Sequence, residues 1–187
     1  MLKKDVKHKT LHWVCGLEES VEHLVRLYFE SRGFLVVTNQ KFKIGKGTPP
    51  EVDVIAVNPK TGEKILAEVK AWKIKRGHIT KILSPEDRKK YPKYQRRLRI
   101  VNDREFREKL IEKVEERYGE GFKVYLFAAG IQKKYEKEIM QVLKEEGITF
   151  VSIVDVIKEL IKLEEPYSKD PAIQLLIYLK NNDLLKL

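Results

Sequence analysis

The sequence predicts an α/β domain with a mixed central sheet of about five strands flanked by helices. Three observations carry this reading. Short apolar runs at 34–38, 51–57, 65–70, 122–128 and 148–152 have the length and composition of strands. Around them, apolar residues recur every three or four positions, as on one face of a helix. One such helix separates the last two strands, which implies a parallel pair with a right-handed crossover. At 187 residues and 42% hydrophobic content, the chain suits one domain with a real core.

Residues 1–15 read as a basic N-terminal arm carrying His8, His12 and Trp13. The two histidines lack a third metal ligand, so phosphate contact is the expected role. Leu17 to Arg32 is a helix with a Val21, Leu24, Val25 and Tyr28 stripe, stopped by Gly33. Glu22 flanks that stripe and could point toward the sheet edge; its bland role is an i,i+4 pair with Arg26. His23 reads as a surface residue. Phe34–Thr38 is the first strand, followed by a basic loop from Lys41 to Pro50. Gly45 and Gly47 lack the full phosphate-loop pattern, so nucleotide binding is not expected.

Phe106, Leu110, Val114 and Tyr118 mark a helix that Asn102 or Asp103 can cap. A shorter helix is expected over Lys93–Val101. Phe122–Ala128 is the fourth strand. Lys133–Glu146 is an amphipathic helix ending at Gly147, and Ile148–Ser152 is the fifth strand. Ser152 and Asp155 open a helix through Leu163. Ser168 to Pro171 starts a terminal helix whose apolar residues either pack on the core or form a dimer contact. The expected organisation is an arm (1–15), a main domain (16–163) and a helical appendage (164–187).

The most informative stretch is the hairpin Glu51–Val57 and Ile65–Lys70, joined by a polar turn rich in strand breakers. Both strands are almost continuously apolar, as in strands covered on two faces. Asp53, Glu68 and Lys70 interrupt them. A buried charge costs several kcal/mol unless paired, hydrogen-bonded or on a metal. Glu68 and Lys70 share a face because they are two apart. A symmetric loop would set Val57 opposite Ile65 and Asp53 opposite Val69, the wrong parity. A one-residue offset or a bulge would place Asp53 opposite Glu68 or Lys70, and that offset is expected. The bland alternative is an internal salt bridge among the three.

The net charge is +10, and it is concentrated. Residues 73–107 hold 13 Lys/Arg and 4 Asp/Glu, a net +9 that begins just after Lys70. A basic block adjoining a carboxylate cluster suits a protein that processes polyanions. No apolar run is long enough to span a bilayer, and the start lacks the apolar core of a secretory signal. With Cys15 alone, neither an internal disulfide nor a cysteine zinc site is expected. A cytoplasmic location fits, and many Lys and Glu with few Gln, Cys and Met fit a thermophile.

Asp53, fourteen residues, then Glu68-Val69-Lys70 in apolar strands resembles the motif of the PD-(D/E)xK nuclease superfamily, with its restriction-endonuclease-like fold. The stretch from Glu22 to Gly33-Phe34-Leu-Val-Val is similar to the opening helix of archaeal Holliday-junction resolvases and Mrr-like endonucleases, where a glutamate sits eleven residues before Gly-Phe. Together these cover roughly residues 16–72. Glu51 also sits where the first acid could fall; Asp53 is preferred because the apolar run embeds it. The basic insert is longer and more proline-broken than the corresponding resolvase helix, and Gln95 matches that helix's glutamine only loosely.

The resemblance implies phosphodiester hydrolysis in DNA, including structured or branched DNA, and a homodimer. It implies that Asp53, Glu68, the Val69 carbonyl and Glu22 hold Mg2+ or Mn2+, and that Lys70 orients the attacking water. Lys73, Lys75, Arg76, Lys89, Lys90, Arg96, Arg97 and Arg99 would then grip phosphates. The competing readings are an inactive nucleic-acid-binding module and a structural subunit of the same fold.

Overall fold

The strands Leu35–Lys41 (β1), Glu51–Val57 (β2), Lys64–Lys70 (β3), Phe122–Ala128 (β4) and Ile148–Ser152 (β5) form one mixed sheet in chain order. β1, β2 and β3 are an antiparallel meander, while β4 runs parallel to β3 and β5 parallel to β4. This is a computed structural model, and it describes residues 19–70, 98–131, 133–163 and 169–182. The arm at 1–15 and nearly all of the basic block lie outside the described residues.

Helices cover both faces. The first, α1, runs through residues 19–30. Then come Arg99–Asn102 (α2), Arg104–Tyr118 (α3), Glu136–Glu145 (α4), Ile153–Leu160 (α5) and Pro171–Asn181 (α6). Ile55, Leu66 and Leu126 pack under α3 and α4 through Phe106, Leu110, Ile139 and Leu143. On the other face, Val54, Ala67 and Phe127 meet Val25 and Phe29 of α1, Val156 of α5 and Ile173 of α6. The architecture agrees with the restriction-endonuclease-like fold. Among the described residues, no helix is long and apolar enough to cross a membrane.

Local chemistry explains the element ends. Gly33 takes φ +82°, the left-handed turn that a β-carbon resists, and so releases the chain from α1 into β1. Asp103 caps α3 by accepting from Phe106 N–H, Ser152 caps α5 by accepting from Val154 N–H, and Asp170 caps α6 with Pro171 just inside.

Several bounds differ from expectation. β1 continues to Lys41 because its pairing with β2 extends to Lys41↔Glu51. The expected Lys133–Glu146 helix begins as a 3-10 turn at Lys133–Tyr135, and α5 ends at Leu160 rather than Leu163. α1 buries Leu27 and Phe29 as well as Val25, a wider face than the expected stripe, because Phe29 lies edge-on to Phe34 and Phe127. Of the shorter helix expected over Lys93–Val101, the described part is α2.

Candidate active site

The meander brings the three charged strand residues to one place. Val57 pairs with Lys64, one residue earlier than a symmetric loop dictates. Continuing that register sets Asp53 opposite Glu68, so the expected offset is present. The β2–β3 ladder ends at Val54↔Ala67. Beyond it, Val69 N–H donates to Asp53 Oδ2 at 2.6 Å, and the carboxylate takes the place of a ladder carbonyl.

Lys70 Nζ lies 2.5 Å from Glu68 Oε1 and 3.7 Å from Asp53 Oδ2. The Asp53, Glu68 and Lys70 side chains are only 14%, 14% and 15% exposed, so this polar cluster sits in a largely dehydrated setting. Burial pushes the Glu68 carboxyl up from its ordinary 4.5 to about 7. The Lys70 ammonium opposes that rise, whereas the negative charges of Asp53 and Glu22 add to it.

Glu22 is half-buried on α1 and reaches this cluster through its field on Glu68. Arg26, the partner that the bland reading gave Glu22, pairs with Glu30 at 2.7 Å. His23 faces Asp170 at 3.1 Å and ties α1 to the cap of α6. Glu51 lies at the exposed start of β2 beside Lys41, 3.4 Å away, outside the cluster.

Asp53 and Glu68 offer the hard oxygen donors that Mg2+ or Mn2+ prefers, so the donor chemistry suits such an ion. In this arrangement the Lys70 ammonium occupies the cationic place beside both carboxylates. Among the described residues, no group of three or more His, Cys, Asp or Glu is arranged to hold a metal.

The basic block divides at the edge of the described residues. Lys73, Lys75, Arg76, Lys89, Lys90, Arg96 and Arg97 lie outside them. Arg99 is exposed, stacks 4.0 Å over the Phe106 ring and bonds Asp103 at 3.1 Å. Arg104 pairs with Glu108 at 3.0 Å. Arg107, counted in the block, is buried: it donates to the carbonyls of Ile100 and Val101 and pairs with Glu146. It is a strut between α2, α3 and the end of α4, and sequence distance hid it, because its carboxylate partner is 39 positions away. The Val69 N–H that anchors Asp53 was equally invisible, since a backbone donor leaves no side-chain pattern.

Fold and cluster together define an α/β domain with a carboxylate–lysine site where two strands part. No protein-family model matches the sequence, and no curated protein matches it. Among solved structures, a repair endonuclease from Pyrococcus abyssi is 19% identical with a TM-score of 0.35, over 69% of this chain and 44% of its own. A protein of unknown function is 18% identical with a TM-score of 0.43, over 90% of this chain and 79% of its own. The chain therefore spans less than half the length of the endonuclease. At these values neither likeness carries an argument about activity.

Proposed function

We propose that the chain is a PD-(D/E)xK-type nuclease that hydrolyses phosphodiester bonds in DNA with the help of Mg2+ or Mn2+. The observation that carries this reading is the convergence of Asp53, Glu68 and Lys70 on one sheet face, largely out of water. Ions buried together are costly to keep, and replacing such a cluster by apolar residues is often neutral or stabilising. A functional demand accounts for retaining it.

Asp53 and Glu68 would hold the ion, with the Val69 carbonyl, and Glu22 directly or through water. When bound, the ion lowers the pKa of a water and neutralises charge on the phosphate. The chain's own residues do the rest. Val69 N–H holds Asp53 Oδ2 in place. Lys70 would orient the attacking water and stabilise the charge that builds on the phosphoryl oxygens. Water adds its oxygen to phosphorus, the bond to the leaving sugar oxygen breaks, and no covalent enzyme intermediate forms. Lys73, Lys75, Arg76, Lys89, Lys90, Arg96, Arg97 and Arg99 would grip the backbone, which gives steep salt dependence.

A second reading has its own support. The Lys70 ammonium already neutralises Glu68, and no three-carboxylate group is formed among the described residues. An inactive nucleic-acid-binding module of the same fold would look like this. Asp53→Ala and Lys70→Ala decide between the two. A nuclease loses Mg2+- or Mn2+-dependent cleavage of branched, single-stranded and duplex DNA in both variants while DNA affinity holds. Absence of metal-dependent cleavage in the wild type across that panel, or cleavage by either variant at the wild-type rate, overturns the nuclease reading.

A further inference from the structure

β1 and β2 roll over each other at one pair of residues, and one of them is Asp53. The ladder runs from Leu35↔Val57 to Thr38↔Val54, then resumes at Gln40↔Val52, which sets Asn39 opposite Asp53 in the gap. Asn39 has φ +56° and is the one non-glycine residue with positive φ among the described residues. Gln40 spans the kink by donating from its side-chain amide to Thr38 O at 2.9 Å.

The pleat reverses at the same point. Residues an even number apart on a regular strand share a face. Yet Val36 packs with the α1-side cluster, and Phe42 with the opposite one. On β2, Val54 joins the α1-side cluster and Val52 the other, although only Asp53 separates them. Register is kept while phase is lost. A left-handed residue does this, because it turns the strand about its own axis without inserting a residue.

We propose that Asn39 is a positioning residue for Asp53. The β2–β3 register already sets Asp53 on the Glu68 and Lys70 face; the left-handed backbone of Asn39 is the pivot that rolls the β1–β2 ribbon and turns the Asp53 carboxylate to Val69 N–H. A straight ribbon would keep Val52 and Val54 on the α1 side and leave Asp53 standing off the sheet on the Glu68 face, rather than turned into line with the ladder amide of Val69. Asparagine suits the position, since its short polar side chain tolerates the left-handed region that β-branched residues resist. The positioning role has functional meaning through the nuclease reading above, but its structural half stands apart from it.

The test compares Asn39→Gly, which accepts the pivot, with Asn39→Val, which opposes it, and Asn39→Ala as a milder opponent should the valine variant not fold. The Val69 amide resonance in a nitrogen–proton NMR spectrum of the metal-free protein reports the bond to Asp53, with Asp53→Ala giving its position when that bond is gone. Asn39→Gly should leave the resonance at its wild-type position. Asn39→Val, or Asn39→Ala, should move it toward the Asp53→Ala position.

In cleavage assays the opposing variants should lose about 10²-fold in kcat, the scale of a roughly 1 Å misplacement, with KM nearly unchanged. The glycine variant should keep wild-type turnover. An unmoved Val69 resonance in the opposing variants overturns the proposal, as does a glycine variant that behaves like valine. If Asp53→Ala cleaves like the wild type, the nuclease reading fails while the resonance shifts still decide the positioning role.

Discussion

Replacing Glu68 by glutamine should make the metal-free protein more stable at alkaline pH than the wild type, by a margin that grows with pH. Glu68 ordinarily ionises at 4.5, but in the folded protein it does so at about 7, because burial and the charges of Asp53 and Glu22 outweigh Lys70. Between those values the native state keeps a proton that the unfolded chain has released, so stability falls as pH rises. The stabilisation is fully present below the unfolded value and is lost as pH climbs through about 7. Each pKa unit corresponds to about 1.4 kcal/mol, which sets an upper bound of about 3–4 kcal/mol for this carboxyl.

Glu68→Gln keeps the shape, removes the titration and leaves Lys70 beside Asp53. Urea unfolding of both proteins in chelator at pH 4 to 8 measures the effect as the difference between two curves, which cancels the titrating groups that lie away from Glu68. The difference should be small near pH 4 and approach about 3 kcal/mol by pH 8. Adding Mg2+ at pH 8 should restore stability to the wild type more than to the variant, since a metal needs the deprotonated carboxylate. Parallel curves in chelator across the whole range would refute the argument, because Glu68 would then ionise alike in both states.

Two further changes probe the frame around the site. Arg107→Ala should cost about 2–4 kcal/mol, somewhat less than breaking a wholly buried pair, because Glu146 keeps partial access to water while two carbonyls lose their donor. Arg107→Lys should recover only part of this, as an ammonium lacks the planar fork; the midpoint of urea unfolding reads both. Ile173→Ala should cost about 2–5 kcal/mol if α6 unfolds with the rest, since Ile173 is fully buried against the α1-side core. Hydrogen exchange in α6 should then accelerate before that in β4, and equal protection would show that the helix is held by something else.

Much of this protein is written locally. Phe122–Ala128 and Ile148–Ser152 are legible to the residue because short, mainly apolar runs rich in aromatic and β-branched residues suit strands that helices cover. Asn102-Asp103, Ser152 and Ser168–Pro171 announce helix starts because capping is a short-range bond between a side chain and an amide two or three positions on, and the structure selects Asp103 and Asp170 where the sequence left the cap open. Asp53, Glu68 and Lys70 stand out because charges in such runs demand a partner.

What tertiary structure alone decided has a different physical origin. How the Asp53 carboxylate is turned toward Val69 N–H depends on the roll at Asn39, fourteen residues earlier, and no hydrophobic periodicity encodes a change of pleat phase. Whether Arg107 grips phosphate or props α3 depends on Glu146 arriving from the end of another helix. Lys70 settles between two carboxylates because strand pairing delivers them to it. Composition and spacing determine which elements form and which charges must be reconciled; pairing register and long-range packing determine where those charges meet.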